Sequence, residues 1–137
     1  IMNNSNFKIL DNESTYLFYK DITPIKITGI NTVNVKPVET KEELTPVFNL
    51  VLMHYPDYID DLSFENTIAL SGHSLKGTIR IPFYGGIIKK VGAKKYIDDY
   101  YEVGTNKLYV SGGIGTENVK FRFNNKPEIN IYRLEKK

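Results

Sequence analysis

Residues 66–83 read NTIALSGHSLKGTIRIPF and combine an apolar run, a loop bracketed by glycines and a histidine in one segment. The run 67–70 has the length and apolar character of a buried strand. His73 follows that run within the loop 71–77. Because neutral imidazole binds several first-row metal ions, we predict that this corner takes part in metal binding.

A second histidine lies at an equivalent place in the preceding part of the chain. The run 48–53 (FNLVLM) is almost continuously apolar, as expected of a strand buried on both faces, and His54 follows it directly. Pro56 favours a short helix immediately afterwards, so the two runs fit neighbouring parallel strands joined by a crossover. The carboxyl ends of parallel strands meet at one sheet edge, where ligands collect in α/β proteins. His54 and His73 should then lie close together.

A structural role is the alternative for each histidine, since a lone histidine beside a strand is usually a hydrogen-bonded packing residue. The chain has two histidines in total, and both follow a buried-strand pattern. This shared placement favours the ligand interpretation, but both interpretations stay open at this point.

Most of the remaining chain has the residue pattern of short strands. Gly29, near the end of one of them, indicates a close backbone approach or a bend. Thr40 and Glu43 have the spacing of a capping box and predict a short helix. The glycine-rich stretch 112–116 lacks the pattern of a phosphate-binding loop and is predicted to be a tight turn. The predicted strands are 7–10, 15–19, 25–30, 78–83, 96–103, 107–111 and 128–134.

Composition limits the classes of function. A length of 137 residues predicts a single domain, and a net charge of +2 gives no strong attraction to nucleic acid or membrane. The absence of cysteine excludes disulfides, thiolate metal sites and cysteine nucleophiles. No apolar run reaches the ~20 residues of a spanning helix. We therefore expect a soluble, cytoplasmic protein with neither a nucleic-acid partner nor a membrane partner.

Four segments, in this order and spacing, carry a family resemblance. They are LVLMHYPDYID (50–60), IALSGHSLKGTIRIPF (68–83), YYEVGTNKLYVSGGIGT (100–116) and RFNNKPEINIYRL (122–134). Together they resemble the C-terminal half of a calcineurin-like metallophosphoesterase of the bacterial predicted-phosphohydrolase branch. The resemblance implies that residues 1–137 form one partial domain of the α/β class. That domain would be half of a four-layer α/β/β/α sandwich, β-rich with one or two short helices.

The resemblance also implies an activity and a site. Members of such a family hydrolyse phosphate esters at a centre of two divalent metal ions, for which Mn, Fe or Zn are candidates. His54 matches the family's lone metal histidine at a strand end. His73 matches the first histidine of its Gly-His-x-His motif, so both side chains would serve the same ion.

The sequence departs from the family pattern in ways that bear on activity. Leu75 stands at the second histidine of the motif, and Lys76 stands where the family usually has glycine, which would bring a positive charge close to the metal position. The family's motifs Asp-x-His, Gly-Asp-x-x-Asp and Gly-Asn-His are not found in residues 1–137 and would lie upstream. We therefore expect this chain to bind metal weakly or not at all, and to be inactive without an N-terminal half.

A function of another class is the alternative. Half of a two-sheet sandwich exposes an apolar sheet face, which must be covered by something. The chain would then be a non-catalytic, degenerate half-domain that associates with itself, as a homodimer, or with a partner.

Overall fold

The computed structural model of the protein describes residues 7–19, 23–31, 48–63 and 65–135. The helix predicted from Thr40 lies outside these ranges. The strands are β1 (Glu13–Tyr19), β2 (Thr23–Ile30), β3 (Phe48–Met53), β4 (Thr67–Ser71), β5 (Arg80–Ile81), β6 (Gly85–Gly86), β7 (Tyr100–Val103) and β8 (Asn106–Val110). Two short 3₁₀ helices span Pro56–Asp61 and Leu75–Gly77. Across the described ranges, no helix has the length and apolar character needed to cross a membrane.

A six-stranded mixed sheet dominates the structure, in the order β1-β2-β3-β4-β8-β7. Strands β2, β3, β4 and β8 run parallel to one another, and β1 and β7 are antiparallel at the two edges. The predicted parallel pairing of the runs 48–53 and 67–70 is confirmed, with Leu50 opposite Ile68. The expected sheet-rich α/β class with few helices is confirmed as well.

One face of the sheet forms the hydrophobic core. Val51, Ala69 and Leu108 lie on three adjacent parallel strands and are almost completely buried. Ile59 of the first 3₁₀ helix and Tyr96 pack against them. The connection from β3 to β4 thus covers this face of the strands that it joins.

The other face of the sheet is apolar and less well covered. We call it the open sheet face. The expectation that residues 48–53 are buried on both sides is wrong, because Leu52 is 40% exposed. A continuous apolar run cannot show which of its two faces is covered by a second layer. Strand register assigns to the open sheet face Leu17, Ile25, Ile27, Phe48, Leu50, Leu52, Ile68, Leu70, Tyr109 and Tyr100.

Gly29 lies on β2 at a point of close backbone approach, as its sequence position predicts. A Cβ atom at this residue would lie 2.4 Å from the carbonyl oxygen of Leu10. The segment that precedes β1 therefore packs directly on the end of β2.

Four predicted strands differ in the structure. Residues 7–10 form no strand, and the first strand begins at Glu13. The strand predicted over 78–83 is reduced to β5, because Thr78 and Phe83 at its ends adopt left-handed backbone angles (φ 56° and 67°). The strand predicted from Tyr96 begins only at Tyr100, since the amides of Ile97 and Asp98 bind the Tyr101 hydroxyl instead.

The last predicted strand, 128–134, is not formed. Ile129 and Ile131 alternate as a strand requires, but both are strongly exposed and no neighbouring strand of the described residues pairs with them. The amide of Glu128 instead donates to the carbonyl of Gly113 at 3.0 Å. Alternation alone therefore predicted a strand whose pairing partner is lacking in the described ranges.

Candidate functional site

The two histidines of the chain lie together at the carboxyl edge of the parallel strands. His54 directly follows β3, and His73 follows its parallel neighbour β4. Their ring centroids are 4.5 Å apart. The hydroxyl of Ser71 donates to the His54 carbonyl at 2.9 Å and ties the two strand exits together. The structure thus brings together the two residues that the sequence singles out.

Neighbouring groups orient both imidazoles. The ring of Tyr55 lies 5.1 Å from that of His54 and 4.6 Å from that of His73. Nε2 of His73 donates to the carbonyl oxygen of Val91 at 3.1 Å, which leaves Nδ1 as the nitrogen with a free lone pair. A ligand histidine commonly uses its second nitrogen in this way.

Electrostatics favour the neutral, metal-binding form of His54. Burial, the adjacent His73 ring and Lys90 lower the pKa of His54, and Glu117 acts in the opposite direction without reversing the shift. A lower pKa keeps the imidazole unprotonated to a lower pH, and a neutral imidazole is the form that binds a metal ion.

The described residues supply only part of a metal coordination shell. In residues 7–19, 23–31, 48–63 and 65–135, no group of three or more His, Asp or Glu side chains is placed to hold an ion. Glu117 influences both imidazoles electrostatically, but its carboxylate binds the ammonium of Lys90 at 2.7 Å. The two imidazoles suit a divalent ion in chemistry, and further ligands would have to come from elsewhere.

The corner that carries His73 has a strained backbone. Four residues of this corner are not glycines, yet their φ angles lie between 47° and 63°. They are His73, Leu75, Lys76 and Thr78. Such conformations cost about 1 kcal/mol or more each and persist only where the surroundings enforce them. Backbone strain of this kind concentrates at functional sites.

Hydrogen bonds from other parts of the chain hold this corner. The Ser74 hydroxyl donates to the carbonyl of Ile97 at 3.1 Å and accepts from the amide of Lys76 at 3.0 Å. The side-chain amide of Asn125 donates to the carbonyl of Leu75 at 2.7 Å. At Gly77 (φ 72°), a Cβ would lie 2.6 Å from the Cα of Gly86, so the corner also packs tightly on β6.

Lys76 forms ion pairs within the chain. Its ammonium binds the carboxylates of Asp99 and Glu128, the latter at 2.5 Å, and its side chain is 13% exposed. Burial alone would lower the pKa of Lys76, but the hydrogen bonds from Asp99 and Glu128 outweigh it and raise the pKa. The positive charge of Lys76 is thus compensated by two carboxylates.

Sequence reasoning did not identify Asp99 and Glu128 as partners of the corner. They lie 23 and 52 residues after Lys76 respectively, and neither stands in a local motif that would signal the contact. Glu128 also accepts a hydrogen bond from the amide of Gly112 at 2.7 Å. The glycine-rich stretch therefore binds a carboxylate of its own chain.

A cavity of about 530 Å³ opens at the same sheet edge, where ligands of α/β proteins usually bind. It is lined by side chains from the ends of three parallel strands together with Lys8 and Tyr132. His54 borders this cavity, as do Ser71 and Ser111. A phosphate-sized group would fit within reach of His54.

Two curated bacterial proteins are similar to this chain. The uncharacterised metallophosphoesterase YkuE of Bacillus subtilis is 36% identical over 90 residues, which cover 65% of this chain and 32% of that protein. The phosphodiesterase YaeI of Escherichia coli is 30% identical over 100 residues, which cover 72% of this chain and 36% of that protein. No family model and no solved structure matches the chain.

These similarities agree with the fold and with the paired histidines at the strand exits. The chain belongs to the metallophosphoesterase superfamily. It spans about a third of the length of the curated relatives that it matches.

Proposed function

We propose that this chain is the C-terminal half of a cytoplasmic, metal-dependent phosphoesterase domain that hydrolyses phosphate esters. In this proposal residues 1–137 contribute His54 and His73 as ligands of one divalent ion, and the remaining ligands come from an N-terminal half. The observation that carries the proposal is the 4.5 Å separation of the two imidazoles at neighbouring parallel strand exits. The names of the two curated relatives support the class of substrate.

The residues of this chain have distinct roles in the proposal. A divalent ion, when bound, would polarise a phosphoryl oxygen and lower the pKa of water. His54 offers a neutral imidazole, because its lowered pKa disfavours protonation. His73 offers Nδ1, since the Val91 carbonyl holds Nε2. Leu75 offers no ligand atom for a second ion.

A metal titration followed by NMR tests the ligand role. The chain contains two histidines, so its two sets of imidazole signals report on the two candidate ligands. We expect Zn²⁺ to shift both sets of signals together. His54→Ala or His73→Ala should weaken Zn²⁺ binding by about tenfold or more, because one imidazole remains.

Asp61→Asn is a matched control, because Asp61 is exposed and lies outside the corner. Unchanged imidazole signals at saturating Zn²⁺ would contradict the ligand role.

A separate assay with p-nitrophenyl phosphate and Mn²⁺ tests the second part of the proposal. We expect no turnover by the chain alone, and clear turnover would contradict its inactivity.

The second candidate function is a non-catalytic module that associates with itself or with a partner. The open sheet face favours it, because the face carries apolar side chains on all six strands and Leu52 is 40% exposed. Contiguous apolar surface of this kind usually marks an interaction site. A homodimer that buried the open sheet face would remove that surface from water.

A further inference from the structure

The short β5–β6 hairpin presents two aromatic side chains to solvent. Phe83 is fully exposed and Tyr84 is largely exposed at the turn that joins the strands. The backbone of Phe83 is left-handed, with φ 67°. A bulky residue in this conformation costs about 1 kcal/mol or more, and an exposed ring recovers nothing by packing. The arrangement is therefore unfavourable for the isolated fold, which suggests a role in contact with something else.

Further apolar side chains lie on the neighbouring segment, residues 87–95. Ile87 and Val91 are both exposed. Val91 occupies a tight turn that the bridge between Lys90 and Ala93 closes. Single exposed apolar residues are ordinary, but these four fall within the nine residues 83–91, and Tyr84 and Ile87 line one cavity.

Lysines border this apolar patch. A cavity of about 540 Å³ is lined by Tyr84 and Ile87 together with Lys89, Lys94 and Lys95. In the described part of the chain, the ammonium groups of Lys89 and Lys94 take part in no ion pair.

Two of the nearby carboxylates are paired with cations. Asp98, which also lines the cavity, pairs with Arg80 at 2.6 Å, and Asp60 pairs with Lys95 at 2.8 Å. The cavity lining thus contains three lysines and one aspartate, and the Asp57 carboxylate beside it accepts hydrogen bonds from the backbone amides of Lys94 and Lys95. A chain-wide net charge of +2 does not describe how the charges are distributed locally.

We propose that this surface, formed by Phe83, Tyr84, Ile87, Val91, Lys89 and Lys94, docks on an anionic phospholipid membrane. We call it the aromatic–basic surface. Aromatic rings are favourable at the headgroup level of a bilayer, and exposed aliphatic side chains gain by shallow burial there. Each lysine near an anionic leaflet adds about 1 kcal/mol of attraction. The unpaired lysines select an anionic surface as the occupant over a neutral apolar one.

The aromatic–basic surface is connected to the paired histidines. The carbonyl of Val91 accepts the hydrogen bond from Nε2 of His73 at 3.1 Å. Docking would consequently hold the histidine corner close to the lipid headgroups. The docking itself needs neither metal nor hydrolysis, so its test is independent of the proposed function.

Vesicle flotation with the 137-residue chain tests the proposal, since flotation separates bound protein from aggregates. We expect the chain to float with vesicles of phosphatidylglycerol mixed with phosphatidylcholine, and not with phosphatidylcholine alone. Added salt should release it, because exposed charges are screened. Lys89→Gln combined with Lys94→Gln should weaken binding by about tenfold or more. Phe83→Ser combined with Tyr84→Ser should do the same.

A spectroscopic readout places the contact at the hairpin turn. The chain contains no tryptophan, so Phe83→Trp introduces a single fluorophore at the exposed position. Its emission should shift to the blue when anionic vesicles are added. Ile114→Trp is the matched control, because Ile114 is 71% exposed but lies outside the aromatic–basic surface. Its emission should stay unchanged.

Three results would overturn the proposal. The first is failure of the wild-type chain to float with anionic vesicles at low salt. The second is equal binding to neutral and anionic vesicles. The third is a Phe83→Ser, Tyr84→Ser double variant that floats with anionic vesicles as completely as the wild type does. Circular dichroism and thermal unfolding check that each variant is folded.

Discussion

Lys76 shows at the scale of one residue how the histidine corner is held in place. Its φ of 49° lies in the left-handed region that glycine favours. Its ammonium binds Asp99 and Glu128, which lie far along the chain. These two ion pairs thus offset the cost of a backbone conformation that is unfavourable for lysine.

Removal of the ammonium should destabilise the fold. Lys76→Met keeps the aliphatic stem but leaves the partly buried Glu128 carboxylate without its cation. We expect the free energy of unfolding to fall by about 2 kcal/mol, between the values for exposed and buried ion pairs. Urea denaturation measures this change. Lys126→Met is the control, because Lys126 is exposed and has no ion pair in the described ranges; an equal loss there would refute the role of the cluster.

The same cluster gives a dependence on pH. Burial alone would raise the pKa of Glu128, but the hydrogen bonds from Lys76 and the Gly112 amide outweigh it, so the pKa lies below the ordinary 4.5. The carboxylate therefore stabilises the fold above that value, and this contribution is lost as the pH falls through the folded pKa. From about pH 6 to about pH 3 the wild type should lose more stability than Lys76→Met. Equal losses would contradict the assignment.

Among the elements, the contact between β2 and the segment before β1 depends on a single glycine. A methyl group at Gly29 would lie 2.4 Å from the oxygen and 2.5 Å from the Cβ of Leu10. Real atoms do not approach so closely, so one of the two segments would have to move. The contact is largely between backbone atoms, which cannot move aside by a change of rotamer.

Gly29→Ala should consequently destabilise the protein. We expect a loss of about 1–3 kcal/mol in the free energy of unfolding, the usual cost of overpacking. Gly115→Ala is the matched control, since nothing lies within 4 Å of a Cβ there. Chemical denaturation of both variants measures the difference, and a Gly29→Ala variant as stable as its control would show that the segment before β1 is not tightly packed.

The whole molecule is asymmetric about its sheet. One face is buried under the 3₁₀ helix Pro56–Asp61 and Tyr96, while the open sheet face retains exposed apolar side chains such as Leu17 and Leu52. The hydrophobic effect favours any association that covers such a face. Either the proposed N-terminal half or a second copy of the chain would cover it.

Self-association through the open sheet face can be measured by light scattering. If the chain is a self-associating module, we expect a monodisperse dimer that Leu17→Lys combined with Leu52→Lys converts to a monomer. Ile114→Lys, on an exposed residue outside the face, should leave the dimer intact. A monomeric wild type would contradict the self-associating module. Aggregation would instead favour the proposal that the chain is one half of a larger domain.

The local sequence determined the strands at 48–53 and 67–70, the short helix between them and the close approach at Gly29. These features depend on hydrophobic patterning, proline and glycine within a few residues. The neighbouring positions of His54 and His73 followed from the rule that parallel strands end at one edge. Family motifs that span most of the chain indicated the superfamily.

Tertiary structure alone decided which sheet face is covered, which groups neutralise Lys76, and that residues 128–134 are anchored to a glycine-rich stretch instead of pairing as a strand. It also gathered Phe83, Tyr84 and dispersed lysines into one surface. The reason is physical: burial and ion pairing depend on distances between residues far apart in sequence. A local pattern states what a side chain can do, and the fold decides which partner it meets.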